Sequence, residues 1–337
     1  MITPPYPPME ATVREAIPQG AQWQYEPKWD GFRCLAFRDG DTLHLQSKSE
    51  QQLERYFPEL VAALLAMKAE RFVLDGEIVI ERDGRLNFDD LLARIHPAAS
   101  RIKKLSIETP ARFFVFDLLA DDQGTLLADE TIDVRRPALE TFAAQFFATS
   151  QVVLSPATRD FDIATEWLRG GAGDLDGVIA KRVDLPYGSG TRDAMVKIKN
   201  LRTADCVIGG FRYAEKGNVV GSLLLGLYED GLLHHVGFCS GLKTAEKPEL
   251  TRQLEALIEP PGFTGRAPGG PSRWSTERSV EWKPLKPELV VEVQYDHFSG
   301  GRFRHGTRLM RWRPDKSPRQ CLFETVQSGV VGTKPPL

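Results

Sequence analysis

The chain of 337 residues lacks most of the features by which a class is recognised at sight. It has four cysteines, Cys34, Cys206, Cys239 and Cys321, and no C-x-x-C pair, so neither a zinc ribbon nor a disulfide framework is expected. Its six histidines include the neighbours His234 and His235 but no H-E-x-x-H spacing, which argues against a structural zinc site. No run approaches the roughly 18 apolar residues that span a bilayer. The opening Met1-Ile2-Thr3-Pro4-Pro5-Tyr6-Pro7-Pro8 has neither the basic head nor the apolar core of a secretion signal, so a cytoplasmic chain with no membrane partner is expected. Neither G-x-x-x-x-G-K-[ST] nor G-x-G-x-x-G occurs; a nucleotide phosphate would need something other than a Walker or Rossmann cradle.

The 42% hydrophobic and 26% charged residues are ordinary for a folded protein, and the length suits two domains rather than one large core. A net charge of −3 conceals an asymmetry. Residues 1–201 hold 24 Lys/Arg against 31 Asp/Glu, a balance of −7, whereas residues 202–337 hold 19 against 15, a balance of +4. Much of that excess is Arg302, Arg304, Arg308, Arg311, Arg313, Lys316 and Arg319, opposed between them only by Asp315. Such a run marks either a polyanion site or a solvated strand edge.

Strands dominate. Phe32 to Phe37 and Thr42 to Gln46 are short alternating runs joined through Asp39-Gly40, and Glu229-Asp230-Gly231 signals a second hairpin. Pro58 suits a first helical position, with Leu60, Val61, Leu64, Leu65 and Lys68 following at helical spacing. Asn87 is expected to cap Phe88 to Ile95, and Asp162 a helix through Trp167 that stops at Gly170-Gly171. Beyond residue 202 almost only strands are read. The Pro- and Gly-rich residues 258–280 read as a mobile loop within the second domain. An α+β first domain, 1–201, followed by a β-rich second domain, 202–337, is the division expected, with a join near Asn200 to Asp205.

Several segments could carry chemistry. In Glu26-Pro27-Lys28-Trp29-Asp30-Gly31-Phe32-Arg33 a lysine precedes an Asp-Gly turn into a strand; taken alone this is as readily a loop with a surface lysine. Leu74 to Val79 places Asp75 and Glu77 on one strand face, which is either solvated or a divalent-ion surface. Phe116 is a core ring or a stacker for a base. Asp176-Gly177 repeats the Asp-Gly design ahead of a strand ending in Lys181. In Ala194 to Lys199 the alternation puts Lys197 and Lys199 on one face, about 6.6 Å apart along the strand, where they need water or an anion between them. Arg311 and Arg313 would share a face near the C-terminus, with guanidinium forks suited to phosphate.

Together, in this order, these segments resemble the nucleotidyltransferase motifs of ATP-dependent DNA ligases over nearly the whole chain. Lys28-Trp29-Asp30-Gly31-Phe32-Arg33 resembles motif I, Asp75-Gly76-Glu77 motif III, Phe113 to Leu118 motif IIIa, Asp176 to Lys181 motif IV, Lys197 to Lys199 motif V, and Arg311 to Lys316 motif VI. The stretches Arg55-Tyr56-Phe57-Pro58-Glu59-Leu60, Arg94-Ile95-His96-Pro97, Leu201-Arg202-Thr203-Ala204-Asp205-Cys206 and Gly221 to Gly231 are similar to the small C-type bacterial enzymes.

The resemblance implies an adenylyltransferase domain, ATP-grasp-like, followed by a β-barrel OB-fold domain. It implies that Lys28 attacks the α-phosphorus of ATP as a neutral amine, favoured by Mg²⁺ or Mn²⁺ and by the charges of Lys197 and Lys199, and that AMP then passes to the 5′-phosphate of nicked duplex DNA. Glu26 would contact the adenine edge and Phe116 stack on the base. Arg33 and Glu77 would serve the ribose and metal shell, and Asp176 the metal. Lys197 and Lys199 would neutralise the α-phosphate, while Arg311, Arg313 and Lys316 would orient pyrophosphate through a hinge near residues 200–205. Lys48 and Arg33 would meet the DNA.

Two departures are visible. Asp176 is a methylene shorter than the Glu more usual in motif IV, and Ser47-Lys48-Ser49 stands where many relatives have Ser-Arg-Asn, a point charge in place of a fork. The short stretch ahead of Lys28 leaves no room for the helical DNA-binding domain of larger ligases, so modest, salt-sensitive affinity is expected. A monomer in the cytoplasm, associated with the nucleoid and served by a separate primase-polymerase or other repair protein, completes the picture. The competing readings are an RNA ligase or capping-type nucleotidyltransferase, and a non-catalytic OB-fold nucleic-acid binder.

Overall fold

The structure, a computed structural model, describes residues 2–169, 175–269 and 281–327. The chain divides into two units, one running to Asn200 and the other starting at Leu201.

The first unit is built on two sheets. One has the order Thr42–Ser47, Phe32–Asp39, Arg71–Arg82, Ala111–Ala120, Val152–Leu154, with Arg85–Leu86 folded back on Arg71–Arg82. The anticipated hairpin is there: Asp39 pairs with Thr42, and Gly40 turns the chain at a φ of 59°. The second sheet has the order Thr12–Val13, Met195–Lys199, Gly177–Arg182, Trp23–Lys28. The two pack face to face through Leu35, Val73 and Met195, while Val178 and Ile198, on the other face of the second sheet, cluster with Ala164 and Trp167. The opposite face of the first sheet is covered by helices, through Phe57, Leu60, Leu64, Phe72, Leu139 and Phe142. Ala111–Ala120 is thus buried on both faces, which is why Phe113 to Leu118 is apolar at every position but Asp117 rather than alternating.

Pro58 does open a helix, Pro58–Leu65, whose buried residues are Leu60, Ala63 and Leu64; Lys68 lies beyond its end and is exposed. Asn87 caps Phe88–Ala93, its side chain accepting from the Asp90 N–H at 3.0 Å. The next cap differs from expectation. Asp160, not Asp162, caps Phe161–Leu168, accepting from the Asp162 N–H at 2.7 Å, and Asp162 sits in the first turn where the helix dipole also favours an acid. The stop expected at Gly170-Gly171 lies outside the described residues. Helices Ala99–Glu108 and Ile132–Phe146 were not anticipated; Pro137, inside the latter, reads as a breaker but falls in its second turn.

Two of the stretches typical of the C-type enzymes prove to be structural. Arg94, fully buried, donates to both oxygens of Glu59 at 2.7 and 2.8 Å and to the Tyr56 carbonyl at 2.6 Å, and lies against the Phe57 ring. One arginine thereby locks the two helical segments onto the sheet, far along the chain from Lys28.

In the second unit five strands follow one another in the order Leu232–Cys239, Val220–Glu229, Arg202–Tyr213, Val290–Tyr295, Arg308–Trp312, all antiparallel. Asp230 and Gly231, at φ of 49° and 77°, form the second expected hairpin turn. Among the described residues the sheet edges meet at a single parallel bridge, Cys239 to Thr307, so the expected barrel is a curled sheet without a continuous closing ladder. The expectation of almost only strands is corrected by helix Lys247–Glu255, which buries Thr251 and Leu254 against the sheet. Residues 270–280 of the expected mobile loop lie outside the described residues. Its earlier part is anchored, with Phe263 buried beside Trp282 and Ile258 bridged to Leu285.

Candidate active site

Lys28 is the last residue of Trp23–Lys28 and pairs with Gly177, so the two Asp-Gly segments are brought side by side. Only glycine fits here. At Gly177, with φ of 142°, a Cβ would stand 1.9 Å from the Ile198 carbonyl oxygen, and one on Gly31 would stand 2.2 Å from that of Ile78. The Asp176 N–H donates to the Lys28 carbonyl at 3.0 Å, and the Asp176 carboxylate accepts from Lys28 Nζ. Trp29 fixes the next peptide: its ring is buried edge-on to Phe114, and its indole N–H donates to Ser155 Oγ at 2.8 Å.

One cleft of the first unit collects most of the residues singled out from sequence: Glu26, Lys28, Arg33, Lys48, Glu77, Phe116 and Lys197. Lys28, Lys197 and Glu26 come from the four-stranded sheet, Arg33, Glu77 and Phe116 from the other, so the cleft lies between the two sheets. Asp176 joins it through Lys28. Lys199, two residues along from Lys197, is not among the lining residues, and Arg311, Arg313 and Lys316 belong to the second unit.

Asp75 and Glu77, read from sequence as one solvated or ion-binding strand face, have different surroundings. Asp75 is completely buried; both its oxygens accept from Arg33, and Tyr187 O–H donates to it at 2.7 Å. It therefore serves as an anchor for Arg33, not as an exposed ligand. Glu77 is partly exposed in the cleft, and burial pushes its pKa up to about 7 despite the opposing pull of Arg33 and Lys28. Lys197 is held below the ordinary lysine value, by burial first and then by Lys28, Lys48 and Lys199. Cations gathered closely enough to lower Lys197 form a site prepared for an anion.

Phe116 has the Arg33 guanidinium 4.6 Å and the Lys181 ammonium 4.7 Å from its ring centroid. Glu26, 2% exposed, accepts from Gln24 Nε2 at 3.0 Å and pairs with Lys181 at 2.9 Å. Beneath them Asp117 accepts from Arg135 at 2.8 and 3.2 Å. Burial would raise the Asp117 carboxyl, yet Arg135 and then Lys181 outweigh it and leave it below the ordinary value.

Sequence reasoning missed Tyr187, which acts through Asp75, a partner remote in sequence, and the segment Pro8 to Ala11, which lines the cleft, with Glu10 accepting from Arg192 at 2.7 Å and Lys48 at 3.3 Å. Asp75 and Lys181 stood within the motif segments, but the partners through which they act lie far along the chain. Of these, Lys181 carried a local signal, being an ionisable residue on the strand face it shares with Ile179, and both line the cleft.

In the second unit Arg311 pairs with Glu292 at 2.5 Å. Arg313 and Lys316 converge on Asp205 at 2.8 and 2.6 Å, and Arg313 also meets Asp315. Asp205 thus gathers the C-terminal cations from a position more than a hundred residues earlier in the chain.

Residues 1–199 match the family model described as ATP dependent DNA ligase domain, and residues 216–316 that described as ATP dependent DNA ligase C terminal region. The chain is 46% identical to DNA ligase C1 of Mycolicibacterium smegmatis, over 97% of this chain and 95% of that protein. It is 44% identical to DNA ligase C of Mycobacterium tuberculosis, over 97% and 95%. It is also 33% identical to the multifunctional non-homologous end joining DNA repair protein LigD of Mycobacterium tuberculosis, over 91% of this chain and 38% of LigD. A solved Lig E DNA ligase structure, 15% identical, shares the fold at a TM-score of 0.57 over 91% of this chain and 99% of that one.

Proposed function

The chain belongs to the ATP-dependent DNA ligases, and on that premise we propose that Lys28 is the nucleophile that takes AMP from ATP and hands it to the 5′-phosphate of nicked duplex DNA. The observation that carries this is the position of Lys28 at a strand end, against Asp176, inside the cleft that also holds Glu26, Phe116, Arg33, Glu77 and Lys197.

In this reading Glu26 accepts from the adenine edge and Phe116 stacks on the base, while Arg33, pinned by Asp75, faces the ribose. Lys28 forms a P–N bond with the α-phosphorus as pyrophosphate leaves. Lys197 and Lys199 neutralise the charge that builds on the α-phosphate oxygens, and Arg311, Arg313 and Lys316 orient the pyrophosphate. Lys48 and Arg33 then serve the DNA strand, whose 3′-hydroxyl displaces AMP and seals the nick.

Among the described residues no three His, Cys, Asp or Glu side chains gather as a closed metal cage. Glu77 and Asp176 are two carboxylates at one site, a donor set that suits Mg²⁺ or Mn²⁺ retaining several waters. Bound there, the ion would supply Lewis-acid polarisation of the phosphate.

The domains are those of 1–201 and 202–337, with the hinge near residues 200–205. The kinship with LigD supports a repair role at strand breaks, in which this monomeric ligase works in the nucleoid beside a separate primase-polymerase or other repair protein.

The test uses ATP labelled at the α-phosphate with Mg²⁺, denaturation, and peptide mass spectrometry. Wild type retains acid-labile label on Lys28, and Lys28→Ala loses it by at least about a thousandfold. Equal label in the two would reject the assignment. A nicked duplex ending in DNA or RNA then identifies the polynucleotide: preferential sealing of an RNA end would favour an RNA ligase.

A further inference from the structure

Lys181 is 1% exposed, yet its ammonium reaches the cleft. It pairs with Glu26 at 2.9 Å and Asp117 at 3.5 Å, donates to the Phe116 carbonyl at 3.4 Å and lies against the Phe116 ring. Arg135, the other buried cation nearby, is committed to Asp117 by two hydrogen bonds. Lys181 is therefore the cation in direct contact with Glu26, and Gln24, on the other oxygen, is neutral.

From this geometry we infer that Lys181 is a specificity-determining positioning residue: by pairing with Glu26 and lying against Phe116 it fixes the direction in which the Glu26 carboxylate accepts at the base edge, and so makes the cleft choose a 6-amino purine over a 6-oxo purine. The inference rests on the reading of Glu26 as the adenine contact. An ionised carboxylate only accepts hydrogen bonds, so it takes one from an exocyclic amino group and repels the lone pairs of an oxo group. Without Lys181, Glu26 keeps the neutral Gln24 as its hydrogen-bond partner, and its carboxylate loses the fixed direction that Lys181 gives it. The preference for an amino over an oxo group is lost with that direction. The same ammonium, held against Phe116, fixes the ring relative to Glu26, so base edge and base face are set by one side chain.

The experiment compares self-nucleotidylation by ATP and by ITP, which differ at C6 alone, in wild type, Lys181→Met, Lys181→Arg, Glu26→Gln and the double variant Glu26→Gln/Lys181→Met, each with its thermal melt. The ATP-to-ITP ratio is read rather than the rate, because a merely structural defect lowers both nucleotides together. We expect Lys181→Met to lower the ratio at least about tenfold and Lys181→Arg to keep it within about twofold. The double variant should match Glu26→Gln, since both changes act through one carboxyl. A folded Lys181→Met at the wild-type ratio overturns the inference. If Lys181→Met does not fold, the double variant, which deletes both charges together, decides: a ratio well below that of Glu26→Gln alone would show Lys181 acting independently and overturn it. A wild-type ratio in Glu26→Gln itself would instead remove the adenine role of Glu26, and the inference with it.

Discussion

Both units hold cations suited to phosphate, but they hold them in different ways. In the first, Arg33, Arg135 and Lys181 are pinned to Asp75, Asp117 and Glu26, carboxylates with 0–2% exposure, inside the packing between two sheets. In the second, Arg311 is 61% exposed, and Arg313 and Lys316 share the single carboxylate of Asp205, which is itself 14% exposed rather than fully buried. A buried pair cannot let go of its partner without leaving a charge in a medium that does not solvate it, whereas an exposed pair exchanges partners with water at little cost. The first arrangement preserves a fixed geometry around a base and a nucleophile. The second leaves its cations available to an anion that comes and goes.

Asp117→Ala should sharpen this contrast most. It strips Arg135 and Lys181 of a buried counter-ion and should cost about 3–5 kcal/mol in urea unfolding, with little dependence on salt. A loss below about 1 kcal/mol would mean that the network is solvated after all.

Glu77 comes next. Its proton is held more tightly in the folded chain, with a pKa of about 7, than at its ordinary value of 4.5. With respect to this group, stability is therefore fully present below about pH 4.5 and is lost as the pH rises towards about 7. Wild type should lose about 1–3 kcal/mol relative to Glu77→Gln between about pH 5 and pH 8 without divalent ions. Parallel stability curves for the two proteins would contradict the shift.

In the second unit Asp205→Ala should cost about 1 kcal/mol or less, and the loss should shrink in high salt. A penalty equal to that of Asp117→Ala would erase the distinction between the units. Glu292→Gln, which frees Arg311, should change the melting midpoint least, by an equivalent of about 0.5 kcal/mol or less; a larger shift would place Arg311 among the pinned cations.

How much of this could be read from the sequence depended on where each residue's partner lies. The Asp39-Gly40 and Asp230-Gly231 turns, the Asn87 cap and the Pro58 helix start were legible because their hydrogen bonds and dihedral demands are local. The cap at Asp160 was misplaced by two residues because acids recur at 160 and 162, and only the N–H directions distinguish them. Helix Lys247–Glu255 escaped because Leu250 and Leu254, four apart on one face, are a short apolar stripe among mostly charged and polar residues. Within the site, Lys28, Glu26, Phe116 and Lys197 stood out through residue type and order. Asp75 was read, with Glu77, as part of a solvated or ion-binding strand face because alternation places the two side by side but does not reveal Tyr187, 112 residues away, which donates to it.

The sequence by itself determined the division into an α+β half and a β-rich half, the order of the motif segments, and the two glycines that follow Asp30 and Asp176. These depend on backbone conformation and on side-chain periodicity over a few residues. Only the tertiary structure decided that Lys181 meets Glu26, that Tyr187 and Asp75 hold Arg33, and that Asp205 collects Arg313 and Lys316. Each pairing joins charges between 42 and 155 positions apart, brought into register by strand ladders and sheet packing, and the burial that gives these contacts their strength exists only once the sheets have closed on one another.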